Sequence, residues 1–104
     1  MNIGDIVYIY LFDLEKSILH MNQLRDDRFG RITAINTRSV IGSNDKEIVY
    51  NIKTKNNIVE YVSSNVNYSI ISIAELMNLI GNVGLSTEKR DRLIKQIQIQ
   101  VQQI

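Results

Sequence analysis

Between Ile6 and Ile71 the apolar positions come in short runs broken by polar clusters, the rhythm of a β-meander. Strand-like runs fall at residues 5–12, 29–36, 48–54, 58–62 and 68–71. The first follows a Gly4-Asp5 turn signal and is dominated by β-branched and aromatic residues, which suit a pleated surface. Ile6, Tyr8, Tyr10 and Phe12 alternate onto one face, and Val7, Ile9 and Leu11 onto the other. A strand apolar on both faces is normally covered on both. One face is therefore expected to line the sheet interior, and the other to lie under C-terminal helices. In the second run, Gly30 is expected to mark a bulge or a sharp bend.

The strongest local pattern is residues 47–63, where two runs flank Asn56-Asn57. A two-residue type I′ turn needs positive φ at both central positions, which Asn tolerates. That turn predicts Lys53 opposite Glu60, Ile52 opposite Tyr61 and Thr54 opposite Val59. Tyr50, Ile52, Val59 and Tyr61 then form an oily face, and Asn51, Lys53, Lys55 and Glu60 a wet one, as a half-buried hairpin requires. Residues 63–67 read as one tight turn.

Residues 13–28 are ambiguous. Leu14, Ile18, Met21 and Leu24 fit a helical stripe, while Ile18, His20 and Asn22 fit alternation in a ribbon. Past the strands, Ser72 and Glu75 form a capping box before Ile73, Leu76, Met77 and Ile80, one helical face that Gly81 or Gly84 ends. Ser86 caps a second helix, with Glu88/Arg92 and Asp91/Lys95 as i, i+4 ion pairs. Its Ile94, Ile97, Val101 and Ile104 make a 3-4-3 seam, open to self-association as a homodimer or to internal packing. Residues 97–101 also alternate with period two, which leaves a strand as the alternative there.

The run Gly4-Asp5-Ile6-Val7-Tyr8, the segment Phe29-Gly30-Arg31-Ile32, and the pair Tyr50-Asn51-Ile52-Lys53-Thr54 and Asn57-Ile58-Val59-Glu60-Tyr61 together resemble an SH3-like small β-barrel. The resemblance implies a mainly β fold with C-terminal α: a five-stranded barrel over residues 1–71, then a helical pair over 72–104 packed on the barrel or on a partner copy. A small barrel with a helical tail is also similar to small accessory proteins of phages and mobile elements. That likeness implies a non-enzymatic module that binds and modulates another protein, such as an anti-defence factor. It transfers no functional residue, because the fold hosts many functions.

Composition narrows the chemistry. With 104 residues the chain makes one domain, and without cysteine it has no disulfide, thiolate zinc site or nucleophilic thiol. His20 is the single histidine, so no triad or histidine zinc site assembles from one chain. Asp26-Asp27 and the Asp13/Glu15 pair read as solvated turn residues rather than an acid–base pair. Glycine-rich phosphate loops are missing. No catalytic residue, cofactor or metal is expected. The N-terminus lacks a signal-peptide pattern and the longest apolar run is residues 6–12, which predicts a soluble, cytoplasmic protein without membrane contact.

The net charge of +1 names no partner, but residues 16–55 hold eight basic and four acidic residues. Arg25, Arg28, Arg31, Arg38, Lys53 and Lys55 form a weak basic stripe able to contact phosphate, interrupted by Asp26, Asp27, Asp45 and Glu47. Among the aromatics, Tyr50 and Tyr61 fall on the predicted inner face and Tyr8 and Tyr10 on the first strand. Phe29 and Tyr68 are the better candidates for a binding surface. Three classes of function follow: a protein-binding modulator first, nucleic-acid binding through the surface of residues 28–55 second, and sequestration of a nucleotide-like ligand at a subunit interface third.

Overall fold

The computed structural model describes residues 1–11, 13–20, 23–64 and 67–104. The expectations for Phe12, Met21, Asn22, Asn65 and Val66 lie outside the described residues. In chain order the elements are β1 (Ile6–Leu11), α1 (Leu14–His20), a 3-10 turn (Asp26–Arg28), β2 (Phe29–Ser39), β3 (Lys46–Thr54), β4 (Ile58–Val62), β5 (Tyr68–Ser72), α2 (Ile73–Asn82) and α3 (Thr87–Gln103). The strands form one antiparallel sheet in the order β4-β3-β2-β1-β5. Helix and strand hold similar shares of the chain, so the fold is mixed rather than mainly β. The difference comes from α1, which settles residues 14–20 as helix, and from α3, which stays helical to Gln103 and excludes a strand at residues 97–101. Among the described residues no ladder joins β4 to β5, so the sheet is open.

The two faces of β1 separate two cores. Val7 and Ile9 join Ile32, Ile52 and Tyr61, with Tyr50, Val59, Tyr68 and Ile70 packed alongside. All five strands contribute to this cluster, which lies on one face of the sheet. Tyr8 faces the other way and packs with Phe29, Leu14, Ile18 and Leu24 under Leu76 and Ile80 of α2 and Leu93 and Ile97 of α3. The helices therefore cover the second face of β1, as its double-sided apolar pattern predicts. Each fully buried Leu, Ile or Phe here contributes about 1.5–3 kcal/mol. Tyr8 and Phe29 meet edge to face, ring centroids 4.8 Å apart.

The helices begin where the sequence predicts. Ser72 Oγ accepts the Glu75 N–H at 3.2 Å, and Ser86 Oγ accepts the Lys89 N–H at 3.2 Å. Gly84 follows α2 with φ +77°. The Glu88–Arg92 pair forms at 3.5 Å, but Asp91 lies 3.9 Å from Arg90 instead of pairing with Lys95. Ile97 is 1% exposed, and Ile94, Val101 and Ile104 pack on the same cluster. Ile97 therefore lies inside the chain's own core, and the other three sit partly buried at its edge.

Two local expectations are corrected. The β3–β4 register places Tyr50 opposite Tyr61, Ile52 opposite Val59, Asn51 opposite Glu60 and Lys53 opposite Ile58. The pairing is displaced by two residues because the turn centres on Lys55-Asn56. Thr54 N–H donates to the Asn57 carbonyl at 2.8 Å, and Thr54 Oγ1 accepts the Asn57 N–H at 3.2 Å, so the Thr54 hydroxyl closes the turn one residue early. A shift of two preserves parity, and the oily and wet faces survive. The Lys53–Glu60 pairing does not. Second, Gly30 is not at the bulge. It pairs with both Val7 and Thr54, and a Cβ there would lie 2.4 Å from Ile52 Cγ2 and 3.0 Å from the Lys53 carbonyl oxygen. Glycine serves close packing at this position, while the unpaired bulge residue of β2 is Thr33.

Candidate anion-binding surface

The β2–β3 ladder sets Arg31 directly opposite Lys53. Like charges in that position repel, and neither pairs with an Asp or Glu side chain among the described residues. The Arg31 guanidinium donates to the Gly4 carbonyl at 2.8 Å and to the main-chain oxygen of Ile104 at 3.4 Å, which fixes its direction and leaves further N–H donors free. Lys53 and Lys55 are exposed and make no ion pair among the described residues. These three cations line a cleft of about 330 Å³ together with Thr33, Thr54 and the end of α3 at Gln103 and Ile104. No Asp or Glu side chain among the described residues lines it. The bulge brings Thr33 to this cleft, and its hydroxyl donates to the Asn51 carbonyl at 3.2 Å.

The rest of the predicted basic stripe divides. Arg25 pairs with Asp27 at 3.0 Å. Arg38 pairs with Glu47 at 2.8 Å and Glu60 at 3.3 Å, a cross-strand network in which its charge is more than balanced. The Ser64 hydroxyl and then Arg38, both hydrogen-bonded to Glu47, hold its carboxyl below the usual 4.5. Arg28 makes no ion pair among the described residues and lines a neighbouring hollow with Asp27, Thr54, Asn56 and Asn57.

The aromatic candidates do not join the cations. Phe29 is fully buried against Tyr8. Tyr68 is half-buried, its ring 5.5 Å from Tyr61 and its hydroxyl donating to the Glu60 carbonyl at 3.2 Å. Burial raises the Tyr8 phenol above 10.0, and its oxygen accepts the Arg25 N–H at 3.1 Å. None of the described aromatics is exposed. His20 is exposed, and no group of three or more metal-ligating side chains converges among the described residues. Asp13 Oδ1 accepts the Lys16 N–H at 3.3 Å at the start of α1, a structural role.

Sequence reasoning found Arg31, Lys53 and Lys55 but missed Thr33 and Thr54, whose places depend on the bulge and on the early turn. It also missed the α3 terminus, for which no local signal exists. No described helix is long and apolar enough to cross a membrane. Comparison of the chain with known families, curated proteins and solved structures gives no match.

Proposed function

We propose that the protein is a non-enzymatic cytoplasmic module that binds nucleic acid through Arg31, Lys53 and Lys55, on a sheet read as an SH3-like barrel left open along one seam. The observation that carries this reading is the Arg31–Lys53 juxtaposition without an Asp or Glu partner among the described residues. Two cations held opposite each other cost stability unless an anion outside the chain neutralises them. A phosphate backbone does so, and counterion release then drives binding. Nucleotide sequestration has less support, since a stacked base needs an exposed ring and no described aromatic offers one.

A protein partner is the second reading. It is favoured by Ile41, which stands fully exposed at the tip of the β2–β3 hairpin, and by Ile58, 70% exposed on edge strand β4. Fluorescence anisotropy with labelled oligonucleotides, at about 50 to 200 mM salt, separates the two. Nucleic-acid binding predicts affinity that falls steeply with salt and drops about tenfold or more when Lys53→Glu and Lys55→Glu are combined. Absent or salt-independent binding would leave the protein-partner reading in its place.

A further inference from the structure

We infer that the ligand is the sugar-phosphate backbone of double-helical nucleic acid, gripped on both sides of the β3–β4 turn and held without reading its bases. This rests on the nucleic-acid reading above and names its substrate class. The hollows on this part of the surface share lining residues. The cleft of Arg31, Lys53 and Lys55 and the hollow of Arg28, about 190 Å³, share Thr54. A third, about 380 Å³, runs over the turn itself from Lys53 to Ile58. The turn therefore carries Lys55, Asn56 and Asn57 between two cationic flanks. Asp27 also lines the Arg28 hollow and pairs with Arg25 at 3.0 Å, and with Asp26 it lines a further hollow that includes Lys55 and Asn56, where Asp26 accepts from Gln96.

The donors on this surface are ammonium, guanidinium and amide groups, the types that contact phosphate and sugar oxygens and position a protein without carrying sequence information. Sites for single strands add rings on which unstacked bases rest. Every described ring here is buried or half-buried, engaged with other rings or with the helical core. A single strand would find charge but no platform, whereas a duplex keeps its bases stacked and presents only backbone to the turn and its flanks.

Four cations, Arg28, Arg31, Lys53 and Lys55, set the scale. Each phosphate neutralised on a duplex contributes about −0.9 to the slope of log affinity against log salt. The expected slope is about −3 to −4, with a Kd of about 10⁻⁶ to 10⁻⁴ M at physiological salt.

The test uses the full chain and anisotropy titrations of two duplexes of unrelated sequence and their separated strands over a salt series. Both duplexes should bind alike, and more tightly than either strand. Lys53→Ala and Arg28→Gln should each reduce the slope by about one without creating sequence preference. Lys53 is exposed, so its variant remains informative if Arg28→Gln perturbs folding. Lys16→Ala, at an exposed cation on α1 outside these hollows, should leave the slope unchanged. Single strands binding more tightly than duplex, with dependence on base composition, would overturn this inference and leave nucleic-acid binding standing. Salt-independent or absent binding to both would overturn both readings. Polyglutamate displacing the duplex as well as unlabelled duplex does would assign the surface to an acidic protein instead.

Discussion

Gln96 ties α3 to the segment between α1 and β2, and removing it should cost the protein much of its stability. Its Oε1 accepts the Leu24 N–H at 2.8 Å, and its Nε2 donates to the Leu24 carbonyl at 2.6 Å and to Asp26 Oδ1 at 2.7 Å. One side chain thus satisfies both peptide groups of a residue that is 1% exposed. Gln96→Ala leaves a donor and an acceptor without partners, each costing about 1–3 kcal/mol. Better helix propensity at Ala returns only a few tenths (~0.3 kcal/mol). The expected loss is about 2–6 kcal/mol, on the order of 10 °C or more in Tm for a domain this size. Urea denaturation followed by circular dichroism at neutral pH measures it.

Gln96→Glu sharpens the test, since it keeps an acceptor for Leu24 N–H but sets an oxygen against the Leu24 carbonyl and the Asp26 carboxylate. The neutral form of the new carboxyl can donate where the charged form repels, so its pKa in the folded state is raised. Its deficit relative to the native sequence should therefore shrink as pH falls through that raised value. A loss below about 0.5 kcal/mol for Gln96→Ala, or native-like stability of Gln96→Glu at neutral pH, would refute the reasoning.

Two further outcomes are expected. Gly30→Ala forces a Cβ to within 2.4 Å of Ile52 Cγ2 and should destabilise by about 1–3 kcal/mol; at an accommodating site the same change would stabilise by about 0.4–1 kcal/mol, so the sign in chemical denaturation decides. Glu47 has a folded pKa below its ordinary 4.5, so its contribution to stability is present above that value and lost as pH falls through the lowered one; the stability gap between the native chain and Glu47→Gln should narrow on going from about pH 7 to about pH 3, and a gap that widens contradicts the ion network.

Much of the fold was legible because its determinants are local. Strand periodicity in β1 announced two covered faces, and Val7 and Ile9 on one side and Tyr8 on the other fill two different cores. Ser72 and Ser86 announced helix starts through their own hydroxyls, and Ile73, Leu76 and Ile80 announced a buried stripe. The hairpin's division into faces was also readable, since parity is a property of the strand alone.

What lay beyond reach involves residues far apart along the chain. Registers that differ by two bury the same face, so hydrophobicity cannot choose between them, and the Thr54 hydroxyl made the choice. Whether a cation is neutralised depends on which strand lies beside it: Arg38 finds Glu47 and Glu60, while Arg31 finds Lys53. The clamp of Gln96 on Leu24 spans 72 residues and leaves no trace in either segment. Short-range preferences are written into a few neighbouring side chains, but charge pairing, the order of strands in the sheet and the shape of a binding surface arise when distant segments meet, and those meetings are set by packing of the whole chain.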